Sequence, residues 1–256
     1  MEMAKSVARF TADAEKLAAK FWPGPLTMIL PRTEKIGDIV TAGLDTVAVR
    51  MSSHPTMHAL IEMSQRPIAA PSANPFGYVS PTTAEHVREQ LGEKIDFVLD
   101  GGECECGVES TIVLMTSSPK KLLRPGPVDA ARIEEVLGEE IDKAPKKNEA
   151  HPQAPGMLKS HYSPKSRLTL FTSPDEIPDD FKGETIYFKR PPSPKKSDFW
   201  LTESGDVREA ARNLFALLRS LDKVSEHGFY CQRVPNVGVG TAVNDRLSRA
   251  ETKFDK

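Results

Sequence analysis

Apolar and polar positions repeat along this chain with two periods, and each change of period marks an element. Ala14, Leu17, Ala18 and Phe21 recur at helical spacing behind Thr11, a residue suited to cap a helix, and Trp22-Pro23-Gly24-Pro25 ends the run. Residues 26–30 then read as a buried strand and 46–51 as an alternating one. Pro55 suits the first turn of a helix reaching about Met63. The pattern next predicts a short strand at 67–70 entering a turn at 71–75. A helix follows, beginning at Thr82 or Thr83 and closing at Gly92, and then strands at 97–99 and 111–115. A helix over 128–137 closes at Gly138.

The pattern lapses over 143–164, where Lys, Asn, Pro and Gly carry no hydrophobic period, and a linker is expected there. Beyond it a second set of elements starts. Strands are predicted at 168–171, 185–188 and 228–232, and 191–194 is a turn or loop. A helix over 206–221 carries Val207, Ala210, Ala211, Leu214, Leu217, Leu218 and Leu221 on one broad face, and a final helix covers 242–250. No internal repeat or low-complexity tract interrupts this order. Strands and helices mixed without strict alternation predict an α/β fold with a mixed twisted sheet, then a linker, then a smaller α/β domain. The expected boundaries are 1–142, 143–166 and 167–256.

Composition narrows the function classes. Of 256 residues, 39% are hydrophobic and 27% charged, as in an ordinary globular chain, and the net charge is −2. No long basic run is present, so strong direct nucleic-acid binding is not expected. The apolar stretches are strand-length and too short for a bilayer, and no membrane association is expected. The stretch after Met1 does not read as a signal peptide. Three cysteines, Cys104, Cys106 and Cys231, lack a disulfide framework, which predicts reduced thiols in the cytoplasm.

Five local patterns carry candidate chemistry, and each also has a plain structural reading. KFWPGPLT at 20–27 is a helix stop. DTVAVR at 45–50 ends an apolar strand with Arg50, which either snorkels to water or aims a fixed cation at a carboxylate. AAPSAN at 69–74 surrounds Ser72 with small residues, which suits either a close-approaching ligand or a polar turn. DGGECECGVEST at 100–111 is a polar loop leading into a strand. Its C-x-C lacks a second ligand pair, so no metal site built from protein side chains is expected. LLRPGP at 122–127 places Arg124 before a Pro-Gly turn. Phosphate-loop, dinucleotide, nucleophile-elbow and zinc-protease motifs are absent from the sequence.

Taken together and in order, KFWPGPLT, TVAVR, PIAAPSAN, DGG…GVESTIV and LLRPGP resemble the YrdC-like family. APGMLKSHYSP at 154–164 and GVGTAVNDRLSRA at 238–250 are similar to the linker and the Rossmann-like C-terminal domain of its longer, two-domain threonylcarbamoyl-AMP synthases. The resemblance implies a nucleotidyltransferase that makes L-threonylcarbamoyl-AMP and pyrophosphate from ATP, L-threonine and bicarbonate. The product would serve a downstream tRNA threonylcarbamoyl-transfer machinery. No side-chain nucleophile is implied; charge and positioning fall to Arg50, Ser72 and Asn74. Arg50, Ala70 and Ser110 are expected at threonine, and Thr46, Ser72, Ser80, Arg124 and Tyr162 at ATP. Tyr162 is implied as part of a lid from the linker, belonging to neither core. Mg2+ is expected with ATP, held mainly by phosphate oxygens.

Family members also carry, ahead of these motifs, a Lys-x-Arg segment that does not appear here, so weaker ATP binding is expected of this chain. Two other readings stay open. One is a catalytically impaired nucleotide-binding or regulatory homologue. The other is a double-stranded-RNA module, which the net charge of −2 opposes.

Overall fold

The computed structural model describes residues 1–143 and 162–251. By packing, they fall into two units. Unit 1 comprises Met1–Pro71 and the chain from Glu109, and unit 2 comprises Ser72–Val108 and the chain to the carboxyl terminus. Most of the linker motif at 154–164 lies outside the described residues; Tyr162 and the residues after it are inside.

Unit 1 opens with α1 (Glu2–Val7), a short helix the sequence pattern does not announce because it buries Val7 alone. In α2 (Ala12–Phe21) the Thr11 hydroxyl accepts from Ala14 N, and Ala14, Leu17, Ala18 and Phe21 are buried, as the spacing predicts. β1 (Leu26–Pro31), α3 (Asp38–Thr41), β2 (Thr46–Val49) and α4 (Pro55–Ser64, with Pro55 in its first turn) follow. The unit resumes after Glu109 with β3 (Thr111–Leu114), β4 (Lys121–Arg124) and, counting α5 (Ala84–Leu91) in unit 2, α6 (Ala130–Leu137). Its sheet has the order β2-β1-β3-β4. β1 and β3 are parallel, and β2 and β4 are antiparallel to their neighbours, which makes the mixed sheet expected. Leu26, Met28 and Leu30 point to one face and pack with Leu17, Phe21, Val113 and Ile133. Ile29, Ile112, Leu114 and Leu123 form a smaller buried group of their own.

Unit 2 holds α5, β5 (Leu168–Phe171), β6 (Glu184–Lys189), β7 (Asp198–Thr202), α7 (Val207–Asp222), β8 (Phe229–Gln232) and α8 (Gly240–Ala250). Its four strands are all parallel, in the order β5-β8-β6-β7. The core joins α7 and α8 to this sheet and includes Val79 and Val108 from the 72–108 segment. Gly107 lies so close to α7 that a Cβ there would sit 2.1 Å from the Ala211 carbonyl oxygen.

Three sequence expectations are corrected. Residues 67–70 and 97–99 form no strand. They are apolar enough to read as strands, yet Phe97 is 92% exposed, and a strand exists only where a neighbour takes its main-chain hydrogen bonds. β4 and β7 were not anticipated, because runs of four and five residues carry too little alternation to stand out. Tyr162 belongs to a core after all: it is 1% exposed and stacks on Phe215 with ring centroids 5.6 Å apart. Its neighbours in that core are non-local, so the linker's lack of local period concealed them. Among the described residues no helix is long and apolar enough to cross a membrane.

Candidate functional site

In unit 1, three of the five sequence patterns and the last three residues of a fourth, Glu109–Thr111, meet at one end of the sheet. The register pairs Leu26 with Thr111, Met28 with Val49 and Ile112 with Arg124, so the starts of β1 and β3 and the ends of β2 and β4 share that end. Turn 22–25 ties them together. Gly24 N donates to Met51 O at 2.9 Å, next to Arg50, and Thr111 N donates to Pro25 O at 2.9 Å. Gly24 has to be glycine, since a Cβ would lie 2.3 Å from Phe21 O.

The centre of this end is a buried polar group. Arg124 is 8% exposed; its Nε donates to Ser110 O at 3.0 Å and an NH2 to Ser110 Oγ at 3.1 Å. Ser110 Oγ also shares a hydrogen bond with Thr27 Oγ1 at 2.8 Å. Thr111, fully buried, donates to Val128 O at 2.8 Å and accepts from Val128 N at 3.0 Å. Gly126 lets the Pro-Gly turn lie on this segment, where a Cβ would come within 2.3 Å of Thr111 N. A guanidinium fixed by the main-chain oxygen and the hydroxyl of Ser110, itself held by Thr27, is a preorganised cation, suited to an anionic ligand. Arg50 and Ala70 are exposed. Thr46 starts β2 opposite Pro31, so it and Arg50 flank the strand from opposite ends, on the order of 13 Å apart at strand rise.

The remaining sequence-predicted residues lie in unit 2. Ser72 is exposed and Ser80 buried. Asn74 Nδ2 donates to Pro75 O at 2.9 Å and Tyr78 O at 3.1 Å, which bends the chain back over Gly77 (φ +78°). Asn74 Oδ1 is buried without a hydrogen-bond partner among the described residues. Tyr162 takes φ +63°, and Ser163 N donates to Gly77 O at 2.9 Å.

Sequence reasoning missed the group that supports this loop. Tyr78 Oη donates to Asp222 Oδ2 at 2.6 Å, and Arg219, 2% exposed, donates to Val79 O at 2.9 Å. Burial and the Asp222 carboxylate push the Tyr78 hydroxyl up to about 12. Burial alone would raise Asp222, but hydrogen bonds led by Ser166 N–H and the Tyr78 hydroxyl hold it below the usual carboxylate value. Burial, then Arg219, lowers His86. The available signal was a charged residue, Arg219, on the apolar side of a strongly amphipathic helix.

Comparison with known proteins divides the chain once, between residues 126 and 128, and so groups 72–108 with the first half, whereas packing groups that segment with unit 2. Residues 1–126 match the family model described as "Telomere recombination" (Sua5/YciO/YrdC), and residues 128–251 match "Threonylcarbamoyl-AMP synthase, C-terminal domain". The chain is 42% identical over 259 residues to the threonylcarbamoyl-AMP synthase of Pyrococcus abyssi (strain GE5 / Orsay), covering 93% of this chain and 73% of that protein. It is 36% identical over 250 residues to the Bacillus subtilis (strain 168) threonylcarbamoyl-AMP synthase, covering 93% and 72%. Among solved structures it resembles P. abyssi Sua5 complexed with L-threonine, with a TM-score of 0.88 and 38% identity, over 98% of this chain and 77% of that one. Both halves match in succession, the likeness runs over nearly all of the chain, and the matched motifs converge at one sheet end: the chain belongs to the Sua5/YrdC family of threonylcarbamoyl-AMP synthases.

Proposed function

We propose that this chain forms L-threonylcarbamoyl-AMP and pyrophosphate from ATP, L-threonine and bicarbonate, the activated intermediate for tRNA threonylcarbamoyladenosine. The observation that carries the reading is the buried Arg124–Ser110–Thr27 group at the sheet end where three motifs and the end of a fourth converge. The named relatives and the L-threonine bound to P. abyssi Sua5 support the substrate class.

The threonine amine attacks the carbon of bicarbonate and water leaves, giving a carbamate. A carbamate oxygen then attacks the α-phosphorus of ATP; the bond to the β-phosphate oxygen breaks and pyrophosphate departs. None of these steps needs a side-chain nucleophile, so the protein's part is to position, shield and neutralise. Arg50 holds the threonine carboxylate, with Ala70 and Ser110 beside it. Thr46, Ser72, Ser80 and Arg124 contact ATP. Asn74 serves the phosphate or carbamate region, where its partnerless Oδ1 accepts from a donor or suits a hard cation. Tyr162 serves the nucleotide from its buried place beside Phe215, as an anchor more than a cover. Mg2+ bound with ATP supplies charge neutralisation on the phosphates.

The test is pyrophosphate release with ATP, threonine and bicarbonate, alongside calorimetry. Arg50→Ala should abolish threonine binding and leave ATP binding nearly intact, and Arg50→Lys should rescue little, because the bidentate fork is lost. Equal loss of both ligands would make Arg50 a folding residue instead. A second reading, a nucleotide-binding homologue of reduced activity, draws on the exposure of Arg50, Ala70 and Ser72. ATP binding without threonine-dependent pyrophosphate release would favour it.

A further inference from the structure

We propose that the last turn of α7 positions the 72–80 loop, with Arg219 and Asp222 as positioning residues for the ligand that loop receives. The inference rests on the proposed role of Ser72, Asn74 and Ser80 at ATP, and it assigns a task to the C-terminal half of the chain.

Residues 72–82 contain no helix or strand, so their shape depends on groups outside the loop. α7 supplies them. Arg219 donates from one nitrogen to Val79 O at 2.9 Å and Gln90 Oε1 at 3.1 Å, and from another to His86 O at 3.3 Å. The same guanidinium lies over the Tyr78 ring, 5.4 Å from its centroid. Three residues on, Asp222 receives the Tyr78 hydroxyl on one oxygen and Ser166 N on the other, at 2.6 and 2.7 Å. Lys223 pairs with Glu89 at 2.7 Å. Val79 itself is fully buried in the core that contains Leu218.

These contacts run directly into the loop. Val79, held through its carbonyl, adjoins Ser80. Tyr78, held through its hydroxyl, presents its own carbonyl to Asn74 Nδ2 at 3.1 Å. Arg219 makes its hydrogen bonds to two main-chain carbonyls and a neutral amide, not to a carboxylate, and its Nε is left without a partner among the described residues. A buried charge so arranged is a poor source of stability compared with an apolar residue of the same size. What a guanidinium alone supplies is a planar fork that fixes carbonyls seven residues apart, Val79 and His86, relative to one another.

The test uses the full chain with Arg219→Met, Arg219→Lys and Tyr78→Phe, and reads two quantities. One is hydrogen exchange at 72–90 against exchange in β5, β6 and β8; the other is KM and kcat for ATP with L-threonine and bicarbonate. Arg219→Met removes three hydrogen bonds and should speed exchange at 77–90 and raise KM for ATP about tenfold, with kcat and sheet exchange changed less than about twofold; tenfold is about the size of one charge-assisted bond, because only part of the lost bracing reaches the ligand. Arg219→Lys should recover part of both effects, since an ammonium still reaches Val79 O and Gln90 Oε1. Tyr78→Phe, which keeps the ring in place, should shift both the same way by about threefold, and it carries the test if Arg219→Met does not fold.

Unchanged exchange at 77–90 overturns the proposal, and so does faster exchange with KM unmoved. Ser72→Ala and Ser80→Ala separate this from failure of the underlying reading. If neither moves KM for ATP, the loop's ligand role falls and the positioning role with it, while the exchange result still decides whether α7 braces the loop.

Discussion

Thr111 shows how a single side chain closes a turn. Its hydroxyl, fully buried, serves both the N–H and the carbonyl of Val128, and so holds the segment after Arg124 against the start of β3. Thr111→Val keeps the shape and removes both bonds. It should cost about 1–3 kcal/mol for each buried main-chain group left unpaired, whereas Thr111→Ser should retain most of the stability. Urea unfolding with an unchanged m-value measures this; a loss below about 0.5 kcal/mol would mean that water reaches Val128. At the same scale, Arg50, Ser110 and Arg124 were legible as candidates from their motifs. The Thr27–Ser110 and Arg124–Ser110 contacts were not, because partners 83 and 14 residues apart share no local pattern.

Elements followed the sequence where a period of three to four residues had room to repeat. α2 came out with the predicted buried face; in α7 five of the seven predicted positions are buried, Val207 and Leu217 are partly so, and Phe215 and Arg219 join them, while the Asp206 carboxylate caps the helix by accepting from Arg208 N. Short elements did not follow. β4 and β7 exist because β3 and β6 offer them edges, and 67–70 and 97–99 are not strands because nothing described pairs with them. Tyr162 is the sharpest contrast. The sequence reading expects Tyr162→Ala to spare the fold. With the ring stacked on Phe215 and the Arg246 guanidinium 5.5 Å from its centroid, the substitution should instead destabilise unit 2 by about 3–5 kcal/mol. Tyr162→Phe, which keeps the ring, should lose far less. Denaturant melting decides, and an unaltered midpoint for Tyr162→Ala would restore the free-linker expectation.

For the whole molecule, the two units should differ in alkali. Burial holds the Cys231 thiol up at about 12 from an ordinary 9.0, and burial with Asp222 holds Tyr78 up at about 12 from 10.0; both lie in unit 2. Groups whose folded pKa is raised give their full stabilisation below the unfolded value and lose it as pH climbs toward the folded one. Unit 2 should therefore weaken from about pH 9 upward. In unit 1 the raised groups are Lys5 and Lys120, exposed or near the surface, whose ion pairs contribute little. The two tryptophans separate the units, since Trp22 reports on unit 1 and Trp200 on unit 2. With one replaced by Phe at a time, the Trp200 signal should change at lower pH than the Trp22 signal. Cys231 should stay unreactive to thiol reagents until it does. The reverse order would show that another group governs alkaline stability.

The sequence by itself determined the long helices, the buried strands, the α/β class and, through ordered motifs, the family, because each of these is written in local spacing or in contiguous residues. Only the tertiary structure decided which strands pair, that Arg124 is buried against Ser110, that Tyr162 is a core residue, and that Arg219 and Asp222 hold the 72–80 loop. Those outcomes depend on groups far apart in the chain competing for the same few hydrogen-bond and packing partners, and no window of adjacent residues records that competition.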